Sequence, residues 1–151
     1  MKIALYQPDI PQNLGAMMRL CACTGTSLDI IEPCGFLWNE RKIKQSAMDY
    51  YDKISLQRHN NWDNFFDTYQ GQGRRIVLMT TKSSEPYYDF KFHDTDILLA
   101  GRESAGVPDD VHSNVQGRIC IPMKGDFRSL NIVNATSMIL GEAIRQTEWN
   151  N

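Results

Sequence analysis

The chain has 151 residues, 42% of them hydrophobic, and a formal net charge of −2 at pH 7. This size and composition predict one globular domain over residues 1–151, large enough to enclose a core and without a separate RNA-binding extension. The net charge excludes a uniformly basic surface for nucleic-acid binding, though not a local RNA-binding patch. A membrane protein is excluded as well, since no apolar run approaches the ~20 residues of a bilayer span.

Apolar runs rich in β-branched residues alternate with helical patterns along the chain. In chain order they predict a strand at 3–6, a helix at 12–24, a strand at 28–31, a helix at 61–69, strands at 76–80 and 97–100, a helix at 108–115, a strand at 119–123 and a helix at 131–146. Residues 40–58 fit a short helix followed by an edge strand or an irregular turn. This alternation predicts an α/β fold with a mostly parallel sheet and helices on both faces.

The first predicted helix has two different faces. One carries the core stripe expected from helical spacing, which consists of Leu14, Met17, Met18 and Cys21. The other has a single long side chain, Arg19, among small residues: Gly15, Ala16, Ala22 and Cys23. Small residues let another backbone or a ligand approach closely. We therefore interpret Arg19 as a packed or interfacial guanidinium, with a surface ion pair as the common alternative.

The N-terminus indicates a reducing compartment for the four cysteines. The first residues read as a strand and not as a signal peptide, so we expect a cytoplasmic protein with reduced thiols. The cysteine spacing matches no zinc or redox motif. All four cysteines are therefore expected to be buried small apolar residues: Cys21, Cys23, Cys34 and Cys120.

Two loops, at residues 101–106 and 124–130, each follow a predicted strand and precede a predicted helix. Such strand-loop-helix units are expected to have adjacent strands and to bring the loops side by side at the carboxyl edge of the sheet, where open α/β folds bind ligands. Gly101 and Gly106 would let the backbone approach a ligand, or would simply form a turn. The first strand is not followed by a G-x-G-x-x-G motif, which disfavours a nicotinamide dehydrogenase.

Four segments together resemble the SPOUT RNA methyltransferases, and within them the small bacterial tRNA 2′-O-ribose methyltransferases that act at the wobble cytidine or uridine. The segments are PDIPQNLGAMMRLCACTG, IIEPCGF, LLAGRESAGVP and IPMKGDFRSLNIVNA. The resemblance covers essentially the whole chain and implies a trefoil knot near the C-terminus that binds S-adenosylmethionine. It also implies a homodimer that acts on tRNA.

The resemblance assigns roles to the residues that match the family motifs. The implied cofactor contacts are Met79, Gly101, Ile121, Ser129 and Leu130. The implied catalytic residues are Arg19, Asn13 and Glu103. The substrate contacts are Arg19, Arg128, Asn131 and Asn134. No metal is expected, because methyl transfer from a sulfonium to a hydroxyl oxygen needs none.

Arg19 is unsuited to be a simple general base, because a guanidinium holds its proton with a pKa above about 12. We expect it to position RNA phosphate or to stabilise the developing alkoxide. Glu103 would orient Arg19 through a bidentate pair, or would bind the cofactor. Ser129 and Asn131 stand where the last helix begins, so helix capping is an alternative to ligand contact.

A homodimer is expected to form through the first and last helices. The last helix has more apolar surface than one sheet face covers, on Ile132, Val133, Ile139, Leu140 and Ile144. Pairing would pool the basic patches around residues 41–44 and Arg58 for tRNA. The main alternative to an enzyme is a non-catalytic RNA- or nucleotide-binding module that keeps the fold.

Overall fold

Six parallel strands form one sheet in the computed structural model of the chain, which describes residues 1–147. In chain order the strands are β1 (Lys2–Tyr6), β2 (Ser27–Ile31), β3 (Leu56–His59), β4 (Ile76–Met79), β5 (Ile97–Ala100) and β6 (Gly117–Ile119). Across the sheet they lie in the order β3-β2-β1-β5-β4-β6, and every neighbouring pair is parallel. The predicted parallel α/β architecture is confirmed.

Helices cover both faces of the sheet, as predicted. They are α1 (Pro11–Thr24), α2 (Glu40–Ala47), α3 (Trp62–Gln70), α4 (Asp109–Asn114) and α5 (Ile132–Thr147), with a 3₁₀ helix at Met48–Lys53. One apolar cluster joins α1, α2 and α5 to the sheet, and a second joins α3 and α4 to its opposite face. Strand residues alternate between the two clusters, as the pleat requires. Within residues 1–147, no helix combines the length and the apolar character needed to cross a bilayer.

The last strand ends earlier than the sequence predicts. A strand is expected at residues 119–123, whereas β6 ends at Ile119. Cys120 then leaves the ladder with β4, and its N–H donates to the carbonyl of Glu85 at 2.9 Å. The carbonyl of Cys120 accepts from the N–H of Tyr87 at 2.9 Å, so the chain after β6 pairs with residues 85–87 and no longer with β4.

The two site loops do not follow neighbouring strands, contrary to the expectation from sequence. β4 lies between β5 and β6 in the sheet. The spatial order of parallel strands depends on long-range pairing, which local periodicity does not encode. Because all carboxyl ends meet at one edge, both loops and the end of β4 still face the same space.

Residues 40–58, which the sequence leaves open, fold as α2, the 3₁₀ helix and the edge strand β3. α2 packs against α1 where Gly15 is buried. A Cβ on Gly15 would lie 2.9 Å from the backbone carbonyl carbon of Ser46. Gly15 therefore serves a contact within the chain and does not belong to the exposed small face around Arg19.

The expectation that all four cysteines are buried is wrong for Cys23, which is exposed on α1. Cys21 is fully buried, and burial raises the pKa of its thiol to about 12. Cys34 and Cys120 are partly buried. Helical position explains the difference, since Cys21 faces the sheet whereas Cys23 lies on a side of α1 that the chain does not cover.

Candidate active site

A cavity of about 580 Å³ opens at the carboxyl edge of β4, β5 and β6. Its walls come from the ends of these strands, the two predicted loops and the first turns of α5. All five residues that the resemblance assigns to the cofactor line it: Met79, Gly101, Ile121, Ser129 and Leu130. The sequence thus predicts residues that the fold brings together, although they come from three separate parts of the chain.

The loop at residues 101–106 is closed by its own backbone. The N–H of Arg102 donates to the carbonyl of Gly106, and the N–H of Gly106 donates to the carbonyl of Arg102, both at 2.9 Å. A Cβ on Gly101 would lie 2.7 Å from the carbonyl carbon of Gly106, and Gly106 has a φ of +66°. Both glycines are therefore required by the loop itself, before any ligand is considered.

A hydrogen-bond network joins three segments at one side of the cavity. The side-chain amide of Asn131 donates to Oδ1 of Asn13 at 3.1 Å, and the amide of Asn13 donates to Oε1 of Glu103 at 3.1 Å. The backbone N–H of Asp9 donates to Oε2 of Glu103 at 3.2 Å, and the hydroxyl of Ser104 donates to the carboxylate of Asp9. The predicted residues Asn13, Glu103 and Asn131 therefore act as one unit.

The network places two carboxyl groups close together and separates their pKa values. Burial raises the pKa of Glu103, and the neighbouring Asp9 raises it further. The hydrogen bond with Glu103 and those from Ser104 lower the pKa of Asp9. Two adjacent carboxyl groups disfavour double ionisation, so the more buried Glu103 holds its proton more tightly than Asp9.

Asn131 also caps α5. Its Oδ1 accepts from the backbone N–H of Val133 at 2.9 Å and of Asn134 at 3.4 Å. Capping and the side-chain bridge to Asn13 use different atoms, so the two interpretations of Asn131 are compatible. Asn134 is exposed and does not line the cavity, whereas Arg128 does.

Arg19 stands apart from this network. It is exposed on α1, does not line the cavity, and its guanidinium carbon lies 5.3 Å from the centre of the Tyr50 ring. The predicted bidentate pair with Glu103 is wrong, because the oxygens of Glu103 accept from Asn13 and Asp9 instead. Among residues 1–147, Arg19 forms no ion pair with a carboxylate.

Two cations of the predicted basic patches are paired with carboxylates of the chain. Lys44 Nζ lies 3.0 Å from Oε1 of Glu40. Arg58 forms an ion pair with Glu32, and its guanidinium carbon lies 4.1 Å from the Trp38 ring centre. These carboxylates reduce the positive potential that the sequence alone suggests.

Several site residues escape sequence reasoning. Asp9 precedes the first helix and belongs to no periodic pattern in the sequence. Nevertheless its backbone N–H donates to Glu103, and its carboxylate accepts from the hydroxyl of Ser104. Thr80 and Thr81 also line the cavity, and their only signal is that they follow the end of a strand. Contacts of this kind depend on which loops meet, and local sequence does not determine that.

Comparison with known proteins decides the family, since residues 1–141 match the SpoU rRNA methylase family. The chain belongs to this family. It is 52% identical over 144 residues to the tRNA (cytidine(34)-2′-O)-methyltransferase of Beijerinckia indica subsp. indica, a match that covers 95% of this chain and 90% of the relative. A structure solved in work on 2-OH methylation of C/U34 on tRNA is 35% identical, with a TM-score of 0.90 over 96% of this chain and 94% of the other.

A more distant structure confirms the fold. It is the SpoU methyltransferase AviRb of Streptomyces viridochromogenes in complex with AdoMet, with a TM-score of 0.87 and 23% identity. The match covers 97% of this chain and 60% of AviRb. This likeness confirms the predicted fold, whereas the family rests on the match over residues 1–141 and on the 52% identical relative.

Proposed function

We propose that this protein transfers a methyl group from S-adenosylmethionine to the ribose 2′-hydroxyl of a cytidine or uridine at position 34 of tRNA. The observation that carries the proposal is the cavity at the sheet edge, which is lined by all five residues that the family motifs assign to the cofactor. The 52% identity to a relative named for cytidine 34 supports the choice of substrate.

The lining of the cavity suits S-adenosylmethionine. Ile121, Leu130 and Ile139 offer apolar walls for an adenosine, and the glycine loop at 101–106 offers backbone polar groups without side chains. When bound, the cofactor supplies a methyl group activated by a positively charged sulfur. A pocket that excludes water favours the transfer, because the positive charge of the sulfonium is cancelled by the negative charge that the oxygen gains as its proton passes to an RNA phosphate or to solvent.

Arg19 acts on the RNA in this proposal and not on the cofactor. Its guanidinium is exposed and lies outside the cavity of its own chain, so it would reach an RNA phosphate, or the developing alkoxide at the cavity of the partner copy. Arg128 at the cavity mouth, together with Asn131 and Asn134 at the start of α5, would contact the substrate strand. The Asn13–Glu103 pair would hold the loops in place during the reaction.

The protein would act as a homodimer through α1 and α5, but the structure changes which residues can contribute. Ile139 and Leu140 are buried in the chain's own core, so they are removed from the predicted interface. On α1, Ala16 remains exposed, and on α5 Met138 is 43% exposed. Ile132, Val133 and Ile144 are only partly covered by the chain, which leaves apolar surface for a partner.

Three further parts of the proposal follow from the family resemblance. They are a trefoil knot near the C-terminus, a reaction that uses no metal, and a cytoplasmic location where tRNA is found. A single RNA-modifying domain of 151 residues would use its partner copy to extend the surface that holds tRNA.

The proposal is tested by supplying purified protein with S-adenosylmethionine labelled in its methyl group and with tRNA that lacks the modification. We expect label on the ribose of nucleotide 34, and thermal stabilisation by the demethylated cofactor product. Stabilisation without transfer to any RNA would identify a non-catalytic binding module. Transfer to another nucleotide would keep the enzyme class and overturn the proposed substrate.

A further inference from the structure

Phe127 is the most exposed aromatic side chain in residues 1–147, with 80% of its surface in contact with solvent. The other five phenylalanines are buried or partly buried: Phe36, Phe65, Phe66, Phe90 and Phe92. Phe127 makes no ring contact within the described residues. Its hydrophobic ring therefore contributes nothing to the core of the chain.

The position of Phe127 connects it to the candidate active site. It lines a smaller cavity of about 270 Å³ between the segments at residues 81–83 and 120–128. This cavity adjoins the main cavity, because five residues line both: Thr81, Cys120, Ile121, Met123 and Arg128. The exposed ring of Phe127 thus lies beside residues that also line the main cavity.

The charges around Phe127 favour a polyanionic partner. Lys124 and Arg128 flank it in the loop, with Asp126 as the only carboxylate between them. Arg128 lies next to Phe127 in sequence and lines both cavities. An aromatic face beside an arginine is the combination that holds single-stranded nucleic acid, since the ring stacks on a base while the cation meets a phosphate.

We propose that Phe127 is a stacking platform for a nucleobase of the RNA strand whose ribose is methylated. This inference rests on the proposed function and adds a residue that the family motifs do not assign. Stacking on a solvent-exposed ring is tolerant of base identity, because every base has an aromatic face. Phe127 therefore contributes to holding the unpaired strand and not to choosing between cytidine and uridine.

The test compares Phe127→Ala and Phe127→Trp with a matched control, Leu37→Ala, which removes a side chain that is 94% exposed on another loop. Three quantities are measured for each variant: the KM for tRNA, the dissociation constant of S-adenosylhomocysteine by calorimetry, and the molar mass in solution. We expect Phe127→Ala to raise the KM for tRNA about tenfold, equal to about 1.4 kcal/mol. Phe127→Trp should keep the KM near the wild-type value, because it retains an aromatic ring. Leu37→Ala should change it less than twofold.

The other outcomes overturn the inference. An unchanged KM in Phe127→Ala would mean that the ring contacts no base. A matching loss of S-adenosylhomocysteine affinity would make Phe127 a cover for the cofactor, and a change in molar mass would make it a contact between copies of the chain. A wild-type protein that neither binds nor methylates tRNA would overturn the proposed function itself, and this inference with it.

Discussion

The side-chain amide of Asn131 donates a hydrogen bond to Oδ1 of Asn13, which lies 118 residues earlier in the chain, at 3.1 Å. This contact joins the first turn of α5 to the first turn of α1. The side-chain amide of Asn13 in turn donates a hydrogen bond to Glu103, in the loop after β5. The start of each of two helices is thereby tied to the loop that lines the candidate cofactor cavity.

Substitutions can separate the two interactions of Asn131, which are its hydrogen bond to Asn13 and its capping of α5. Asn131→Ala removes both, and we expect it to lower the free energy of unfolding by about 1–2 kcal/mol, the usual effect of a lost N-cap. Asn131→Ser retains the capping oxygen but cannot reach Asn13, so its loss should be nearer ~0.5–1 kcal/mol. Urea denaturation measures both. Asn134→Ala, an exposed neighbour, is the control and should change little.

The carboxyl pair predicts a dependence of stability on pH. Burial raises the pKa of Glu103 above its ordinary value of 4.5, so the native state keeps a proton that the unfolded chain has lost. The stabilising contribution of this group is present at low pH and disappears as the pH rises through the raised pKa. The difference in unfolding free energy between wild type and Glu103→Ala should therefore decrease as the pH rises from about 5 to 7.5.

Glu142 provides the control for this pH experiment. Hydrogen bonds from Arg145 and Gln146 lower its pKa from 4.5 to about 2, so it is ionised in the native state throughout that pH range and mostly ionised in the unfolded chain. The difference between wild type and Glu142→Ala should therefore rise only slightly from pH 5 to 7.5, and should not decrease. A constant difference for Glu103→Ala would contradict the raised pKa of Glu103.

Gly101 gives the most direct test of the cofactor site, because its backbone packs against that of Gly106. Gly101→Val places its Cβ 2.7 Å from the carbonyl carbon of Gly106, which forces the 101–106 loop open. We expect the dissociation constant of S-adenosylhomocysteine to rise more than about tenfold in calorimetry. Gly141→Ala, at an open helical position, should leave it unchanged. Unchanged affinity in a folded Gly101→Val variant would place the cofactor elsewhere.

Local periodicity is sufficient to predict most of the elements and both site loops. The apolar run at 97–100 and the helical pattern at 131–146 fall within one residue of β5 and α5. Periodicity does not predict that β4 lies between β5 and β6, because strand order depends on pairing between distant segments.

The sequence also does not predict which side chains of a helix are covered by neighbouring elements. The first helix has a face of small residues, but sequence could not tell that Gly15 is covered by Ser46 while Ala16 stays exposed. On α5, Ile139 and Leu140 read as surplus apolar surface and are buried in the chain's own core. Both cases need the position of a neighbouring element, which a periodic pattern does not specify.

Arg19 should affect methyl transfer and not cofactor binding. Because its guanidinium lies outside the cavity, Arg19→Ala is expected to leave the dissociation constant of S-adenosylhomocysteine within about twofold. Methyl transfer to tRNA should fall at least about a hundredfold, as when a charge contact to the transition state is lost. Lys53→Ala removes the other cation near the Tyr50 ring and should have a much smaller effect. Equal losses of binding and transfer in Arg19→Ala would make this arginine structural.

The exposed face of α1 is where the proposed dimer can be broken. Ala16 is exposed there, while its neighbour Gly15 is closed off by α2, so a charge at position 16 should disturb a partner and not the fold. We expect Ala16→Glu to convert the dimer to a monomer in analytical ultracentrifugation and to abolish tRNA methylation. Gln70→Glu introduces the same charge at an exposed position of α3, on the opposite face of the sheet, and should do neither. A fully active monomer at the assay concentration would show that one chain holds tRNA alone, contrary to the proposed need for two copies.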